Sequence, residues 1–189
     1  MHPEQHDWAR SLDGLHDQVW KRLARGVADR RAPGRHPTLA TVDAQGMPQA
    51  RTVVLRAADR EAATLRVYTD RTADKVEEVR NTPWAAIHIW DNVAHLQMRL
   101  SATVTILTGE PVLPVWSQLS DHARRCYGFQ PGSGAPLADG LDYDRWPDPG
   151  AFAILQLQLE QIEALHLGHH HRRARFRRDD QWAGLWLVP

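Results

Sequence analysis

The sequence predicts a mainly β, α+β fold in which about six short antiparallel strands form a barrel flanked by helices. Apolar and polar residues alternate through 95–107, which is the period-2 pattern of a strand with one face in a core. Turn residues separate most of the other apolar segments at short intervals. The chain shows neither a βαβ rhythm nor the glycine fingerprint of a dinucleotide site. These patterns favour an antiparallel barrel over a doubly wound parallel sheet.

An amphipathic helix is predicted near the N-terminus. Apolar side chains recur there at helical spacing, so we expect a helix over about 7–26 that packs on the barrel and ends near Gly26. A short strand is predicted at 38–42. The turn at 43–46 contains a glycine, which tolerates a positive φ, and leads into the next strand.

The segment 51–75 combines two strands with a polar corner. Its predicted elements, in order, are a strand at 51–56, a turn at 58–60, a strand at 64–69 and a helix over about 73–80. Asp70 or Thr72 is expected to cap this helix, and Lys75 lies in its first turn. Free helix amides, hydroxyl groups and an ammonium group together suit a phosphate. From the residues alone, ordinary surface charges remain the alternative.

The rest of the chain continues the antiparallel pattern in a single predicted domain, 1–189. The predicted elements are strands at 84–90 and 95–107, a helix at 110–125, a functional flap at 127–150, strands at 152–159 and 162–167, and a C-terminal hairpin ending at 182–188. No internal repeat is visible, and 189 residues suffice for one well-filled core.

Composition excludes several classes of function. Lys plus Arg and Asp plus Glu both number 23, so no global charge attracts nucleic acid or an acidic membrane. No segment approaches the roughly 18 apolar residues of a membrane span, and no signal-peptide core is visible. The lone Cys126 cannot form an internal disulfide and suits a reducing compartment, so we expect a cytoplasmic protein with neither a nucleic-acid nor a membrane partner.

Several motifs occur in the order found in one known family. They are R-T-V-V-L-R at 51–56, Y-T-D-R-T-A-D-K at 68–75, a Trp-Asp strand, a Gln-bearing strand, and the later L-E-Q-I-E and R-F segments. Together they resemble the FMN-binding split barrel of the pyridoxamine 5'-phosphate oxidase family, and more narrowly its oxidase-related subgroup of uncertain substrate. The resemblance covers roughly 36–189.

The resemblance implies a six-stranded antiparallel split β-barrel, FMN as cofactor and a homodimer with the flavin at the subunit interface. It places the phosphate ligands at Arg51 and Lys75, and the flavin ring along Val53, Val54 and Leu55. The remaining implied cofactor contacts are Thr52, Arg56, Tyr68, Thr69, Gln97 and Arg175. The implied activity is hydride transfer between a small organic substrate and flavin. A non-catalytic module that binds flavin or haem in the same fold is the alternative.

The chain also departs from the family pattern. Asp74 stands where the oxidases carry an arginine, and Leu165 replaces a tryptophan over the flavin. His171 and Arg173 lie near the oxidases' substrate-binding arginine and histidine, but in exchanged order. The helix at 110–125 lacks clear counterparts of the side chains that hold the substrate phosphate. Flavin binding is therefore expected, while vitamin B6 synthesis is not, and no catalytic residue is assigned.

The histidine-rich and arginine-rich hairpin permits weaker alternatives. His169 and His171 would share one face of a strand, but no carboxylate or cysteine stands at ligand spacing and neighbouring arginines repel a cation, so no metal site is expected. The same basic residues with nearby tryptophans could contact nucleic acid, but no binding motif accompanies them. Cys126 has no histidine fixed beside it in sequence and is expected to be buried filler.

Overall fold

The computed structural model describes residues 6–189. It contains four α-helices, α1 Leu12–Ala28, α2 Asp74–Asn81, α3 Leu113–Gln118 and α4 Asp121–Arg124. The strands are β1 Thr38–Val42, β2 Pro48–Thr52, β3 Leu55–Asp59, β4 Thr64–Asp70, β5 Trp84–Asp91, β6 Leu96–Leu107, β7 Phe129–Gln130, β8 Asp144–Arg145, β9 Phe152–His166, β10 Arg172–Arg177 and β11 Leu185–Leu187. Within 6–189, no helix combines the length and apolarity that crossing a membrane requires.

The main strands pair antiparallel in a ring. β1 pairs with β2 and β5, β5 with β6, β6 with β9, β9 with β4, and β4 with β3. The chain between β2 and β3 closes the ring, and β10 and β11 extend the sheet beyond β9. The predicted mainly antiparallel β fold with flanking helices is therefore confirmed. The strand count depends on whether β2 and β3 are taken as one bent strand.

The core follows from the alternation in the strands. In β6, Leu96, Met98 and Leu100 are completely buried, while Arg99 between them is exposed. Removing such side chains from water contributes roughly 1.5–3 kcal/mol each, which makes the ring the main source of stability. Helix α1 covers the core with a buried stripe that includes Leu15, Val19 and Leu23. The Ser11 hydroxyl caps α1 by accepting a hydrogen bond from the Gly14 amide at 3.0 Å.

The boundaries of several predicted elements were wrong. The strand predicted at 51–56 is interrupted, because Val53 and Val54 separate β2 from β3. The helix predicted at 110–125 is broken into a 3₁₀ turn, α3 and α4, and the extended residue Leu119 ends α3. The strands predicted at 152–159 and 162–167 are one strand, β9, which has a bulge opposite β6. β9 is continuous because it pairs with β4 and β6 along most of its length. A local sequence pattern cannot show such pairing.

A buried histidine closes one end of the core. His166, the last residue of β9, is completely buried, and neither ring nitrogen has a hydrogen-bond partner among residues 6–189. Its ring packs edge-on against Trp8 at 5.1 Å and lies 5.5 Å from the ring of His6. Burial, followed by the charges of His6 and Arg172, lowers the pKa of His166 to about 4.

This histidine predicts a pH-dependent stability. Between the unfolded pKa of 6.5 and the folded value of about 4, the unfolded chain binds a proton that the folded chain does not. The free energy of unfolding is therefore expected to fall as pH decreases through this window. Urea unfolding at pH 7 and pH 5 should show a loss that His166→Leu largely removes and that His122→Leu, at an exposed position, retains. Equal losses in both variants would contradict this assignment.

Candidate functional site

A cleft of about 330 Å³ lies where β2, β3 and β4 meet helix α2 and the loop after α4. Its lining includes most of the predicted cofactor contacts, namely Arg51, Thr52, Val53, Val54, Arg56, Tyr68, Thr69 and Lys75. Asp70, Ala73, Cys126, Tyr127, Phe129 and Ser133 complete it. The prediction that Cys126 is buried was wrong, because it lies exposed in the loop after α4. Because β2 and β3 are separated at Val53 and Val54, these two residues form part of the wall of the cleft. Three cationic side chains from separate elements thus face one cavity.

Arg51 is held by a partner that the sequence did not reveal. Its Nη2 donates to both carboxylate oxygens of Glu78 in α2, at 3.0 and 2.8 Å. The Thr41 hydroxyl donates to Glu78 and accepts a hydrogen bond from Arg51, which makes a three-residue network. Glu78 is buried, whereas Arg51 retains a partly exposed side chain toward the cleft. The pair fixes the position of the guanidinium group and neutralises part of its charge.

The charge of Lys75 is less compensated than that of Arg51, because its hydrogen-bond partner is a hydroxyl group and not a carboxylate. Its Nζ lies 3.3 Å from the Thr69 hydroxyl oxygen, at the end of β4. Burial, followed by the charge of Arg51 in the same cleft, lowers the pKa of Lys75. Carboxylates at 74, 78 and 70 oppose this shift. An anion placed between Lys75 and Arg51 would relieve the repulsion between them.

Arg56 enters the cleft from a β-bulge. The β3–β4 register shifts between Leu55 and Ala57, so Arg56 is the unpaired extra residue. Bulges commonly re-aim side chains beside functional sites. The Arg56 guanidinium lies 5.6 Å from the ring centroid of Tyr68, and its buried Nε has no partner among residues 6–189. No carboxylate pairs with this arginine within the described chain.

Tyr127 lies beside Arg56 in the same cleft. It is buried and packs edge-on against Phe152 at 4.8 Å between ring centroids. Burial raises the pKa of Tyr127 to about 12, although the nearby Arg56 opposes this shift. The phenol therefore stays protonated at neutral pH. Its hydroxyl can donate a hydrogen bond to an anion in the cleft.

The polar corner after β4 anchors the flap. Ala73, whose side chain cannot accept a hydrogen bond, is the N-cap residue of α2, so the prediction that Asp70 or Thr72 caps this helix was wrong. Asp70 instead accepts from the Thr72 amide at 2.8 Å and from the Gly128 amide at 2.8 Å. The Thr72 hydroxyl accepts from the Ser133 amide at 2.8 Å. These bonds hold the loop between α4 and β9 over one side of the cleft.

The remaining predicted residues lie away from this cleft. The Leu55 side chain is completely buried in the core, and its carbonyl accepts from Arg35 at 3.3 Å. Gln97 of β6 and Arg173 and Arg175 of β10 belong to a different part of the sheet. His171 is exposed in the turn before β10. Their predicted roles therefore cannot be met within one subunit's own cleft.

Gln97, Arg173 and Arg175 lie together on an outward sheet face. Gln97 is paired in register with Leu165, which in turn is paired with Arg173. The next outward position on β9 is the buried Glu163, in register with Arg175, and Arg173 Nη2 lies 3.1 Å from the Glu163 carboxylate. Large apolar side chains are exposed on the strands of this sheet or beside them, namely Trp84, Trp90, Leu185, Trp186 and Val188.

Sequence reasoning missed residues that reach the site through long-range pairing or through the flap. Glu78 is 27 positions from Arg51, and only α2 packing beside β1 brings them together. Tyr127 and Ser133 lie in a segment predicted only as a flap. The signal that could have found Glu78 is its position in the buried stripe of α2, between Val76 and Val79. Buried carboxylates are normally paired.

The fold and the site together define the class of protein, which is an antiparallel split barrel with a cation-lined cleft at a strand-to-helix corner. Residues 17–108 match the family model described as pyridoxamine 5'-phosphate oxidase, FMN-binding domain. The resemblance to this family that the motifs predicted is therefore confirmed over these residues. The match includes every cleft residue contributed by β2, β3, β4 and α2.

Curated relatives carry the same family name. The chain is 26% identical over 177 residues to pyridoxine/pyridoxamine 5'-phosphate oxidase 2 of Arabidopsis thaliana, covering 84% of this chain and 88% of that protein. It is 30% identical over 156 residues to the Bordetella avium oxidase, covering 80% and 62%. The Chromohalobacter salexigens oxidase is 37% identical over 73 residues, which cover 39% of this chain and only 33% of that enzyme.

Solved structures share the fold over nearly the whole chain. An FMN-binding, pyridoxamine 5'-phosphate oxidase-related protein from Nostoc punctiforme superposes with a TM-score of 0.75 at 24% identity, covering 98% of this chain and 100% of that one. PhzG from Burkholderia lata, in complex with tetrahydrophenazine-1-carboxylic acid, gives 0.76 at 20% identity, covering 98% of each chain. At these identities the superpositions establish the split-barrel fold alone.

Proposed function

We propose that the protein binds FMN in this cleft and is an FMN-dependent oxidoreductase acting on a small organic substrate. The observation that carries the proposal is the convergence of Arg51, Lys75 and Thr69 on one cavity at the corner after β4. A phosphate dianion needs clustered cations and hydroxyl donors, because charge-assisted hydrogen bonds are the strong ones. The match of 17–108 to the FMN-binding family model supports the choice of FMN.

The chain's own groups fit such a cofactor. Lys75 has a partly desolvated ammonium group that donates to the Thr69 hydroxyl, and an ammonium group has three donors, so donor capacity remains for a phosphate. Arg51 is positioned by Glu78 and still lines the cavity. Val53 and Val54 lie at the break between two strands. The Val53 amide donates to the Pro37 carbonyl at 3.0 Å, which leaves the peptide groups of Val54 to meet the polar edge of a flat ring.

The proposal includes a homodimer whose partner completes the site. Gln97, Arg173 and Arg175 lie on an outward face with exposed tryptophans nearby, a composition typical of subunit contacts. If this face covers the cleft of a second subunit, those side chains reach the flavin that they cannot reach in their own subunit.

Bound FMN would supply the capacity to accept or donate a hydride. The protein's part is to orient the substrate and exclude water. Arg56, which no carboxylate neutralises within 6–189, and the protonated Tyr127 hydroxyl form a place for an anionic group of the substrate. Asp74 and Leu165 depart from the oxidases, so pyridoxamine phosphate is not the proposed substrate. The lone Cys126 favours a reducing, cytoplasmic location as part of the proposal.

Reconstitution with FMN is expected to give a yellow protein with stoichiometric flavin. Release of the chromophore by denaturation identifies it, and size-exclusion chromatography with light scattering gives the subunit number. Anaerobic mixing with NADH, NADPH or pyridoxamine phosphate then shows which reductant bleaches the flavin. We expect bleaching by a nicotinamide donor, with pyridoxamine phosphate ineffective.

The other outcomes separate the alternatives. A yellow protein that no reductant bleaches would favour a flavin-binding module without turnover. A colourless protein that takes up neither FMN nor haem would contradict both versions.

A further inference from the structure

The turn at 70–72, between β4 and α2, anchors the flap at two points. The Asp70 carboxylate accepts a hydrogen bond from the Gly128 amide at 2.8 Å, near the start of the flap. The Thr72 hydroxyl accepts one from the Ser133 amide at 2.8 Å, further along the segment. The same hydroxyl donates to Asp70 at 2.6 Å, so the two anchors form one network. This turn therefore fixes the flap relative to the strands of the cleft.

The two ends of the flap are also tied together. The Trp146 amide donates to the Gly128 carbonyl at 2.9 Å, and the Arg71 amide donates to the Ala151 carbonyl at 2.7 Å, just before β9 begins. Gly128 has a φ of +96°, and a Cβ at this position would lie 2.0 Å from the Trp146 carbonyl oxygen, so the close approach requires glycine. The bond between Asp70 and Gly128 therefore restrains both sides of the flap.

Asp70 is a buried carboxylate in a cleft that otherwise suits an anion. The hydrogen bonds that it accepts come from neutral groups, namely the Thr72 amide and hydroxyl on Oδ1 and the Gly128 amide on Oδ2. A buried carboxylate has lost its hydration, so these donors must replace water. Because hydrogen bonds to a charged group are the strong ones, the bond to Gly128 is the stronger of the two flap anchors.

The residues on either side of this anchor form one wall of the cleft. Cys126 and Tyr127 line the cleft directly before Gly128, and Phe129 lines it directly after. The peptide that joins Tyr127 to Gly128 contains the amide that Asp70 holds. The position of this wall therefore depends on the Asp70 carboxylate.

The cationic end of the cleft does not depend on the flap. Lys75 Nζ lies 3.3 Å from the Thr69 hydroxyl, and these two residues flank the anchoring turn on α2 and β4. Arg51 lies on β2 and is held by Glu78 of α2. Opening of the flap would thus change access to the cleft and leave the proposed phosphate seat in place.

We infer that Asp70 is a positioning residue that holds the flap closed over the cleft, and that this flap gates the entry and release of FMN. The inference rests on the proposed function, because it takes the cleft as the FMN site. Segments with few buried contacts open locally while the rest of the fold stays intact. Most residues between 131 and 148 are exposed, so the flap is such a segment and its two anchors determine how often it opens.

Limited proteolysis with trypsin tests the anchor without any ligand. Arg145 is the only arginine or lysine in 127–150, so cleavage after it reports opening of the flap. Asp70→Asn leaves one acceptor oxygen where Asp70 uses two, and Thr72→Val removes the hydroxyl. We expect cleavage after Arg145 to be about tenfold or more faster in each variant. Cleavage at the exposed pair 30–31 should stay within about twofold, which excludes global unfolding as the cause.

Two control variants accompany this experiment. Asp43→Asn changes a carboxylate that accepts from two backbone amides at 2.9 Å in the turn between β1 and β2, away from the cleft. Thr72→Ser keeps the anchoring hydroxyl. Both should be cleaved after Arg145 at the wild-type rate. Equal rates at this site in the wild type, Asp70→Asn and Thr72→Val would overturn the inference.

The release of FMN tests the gate. After dilution of the FMN-bound protein, recovery of free-flavin fluorescence should be about tenfold faster in Asp70→Asn and Thr72→Val than in the wild type and Asp43→Asn. Removing the Asp70 charge would by itself strengthen the binding of a phosphate dianion, so faster release reports the opened flap.

Thiol labelling gives a second readout, because Cys126 is the only cysteine and lines the cleft. Saturating FMN should slow its labelling in the wild type and protect it at least severalfold less in Asp70→Asn. If FMN leaves the wild type and Asp70→Asn at the same rate, the gate is overturned and the proposed function stands. If the wild type binds no FMN while trypsin still distinguishes the variants, the proposed function fails and the role of Asp70 in closing the flap stands.

Discussion

Lys75→Met is expected to weaken FMN binding by roughly 10- to 100-fold, because a hydrogen bond to a charged group contributes about 1.5–3 kcal/mol. The Lys75 ammonium group is partly buried and lies beside the Thr69 hydroxyl. Arg51, the neighbouring cation in the cleft, is already paired with Glu78. Lys75 therefore contributes most of the uncompensated charge at the phosphate end. Fluorescence quenching of free FMN on titration with protein measures the affinity.

Lys21→Met is the matched control for this substitution. Lys21 is the only other lysine in the sequence, it is exposed on α1, and it does not line the cleft. Its replacement should leave FMN affinity within about twofold, as an exposed charge far from the ligand is screened. The lowered pKa of Lys75 adds a second expectation. Affinity should decrease at alkaline pH in the wild type, where the amine loses its proton, and this part of the pH dependence should be absent from Lys75→Met.

If Lys75→Met and Lys21→Met bind FMN equally well, the phosphate does not lie at this corner. Thermal unfolding of both variants without FMN separates a loss of affinity from a loss of fold. We expect Lys75→Met to be no less stable than the wild type, because a partly desolvated ammonium group is replaced by an apolar side chain of similar length.

Local spacing explains why the corner could be predicted from the sequence. Thr69 ends a strand with clear alternation and Lys75 lies in the first turns of the next helix, so a six-residue separation determines that they meet. The alternation of residues could not decide whether the Arg56 side chain faces the cleft or solvent. A bulge in β3 turns its side chain into the cleft, and a bulge depends on how two strands pair. Neither the alternation nor the motif shows that pairing.

Long-range pairing limits what the sequence shows of the rest of the site. Gln97 and Arg99 could be placed on one outward face of β6, but their neighbours on β9 and β10 lie about 65–75 residues further along the chain. Only the strand register shows that Gln97, Arg173 and Arg175 share a face. The break of the helix predicted at 110–125 has a similar origin, because Trp116 of α3 and Tyr127, which follows α4, both pack against the ring of Phe152 in β9.

Arg51→Met is expected to destabilise the fold by roughly 3–5 kcal/mol, because it leaves a buried carboxylate at Glu78 without its cation. Thermal unfolding should then show a decrease in Tm of about 10 °C, at roughly 2–4 °C per kcal/mol for a chain of this size. Arg80→Met is the matched control, because Arg80 lies on α2, the helix that carries Glu78. Its partner Glu77 is exposed, and an exposed pair contributes only about 0–1 kcal/mol.

The double variant Arg51→Met/Glu78→Met separates the structural role of Arg51 from its role in binding. Replacing both members of a buried ion pair by apolar side chains is often neutral or stabilising, so most of the lost stability should return. FMN affinity should remain roughly tenfold or more below that of the wild type, because the guanidinium group that lines the cleft is still missing. A stable double variant that binds FMN normally would show that Arg51 serves only to neutralise Glu78, and the phosphate site would then depend on Lys75 and Thr69 alone.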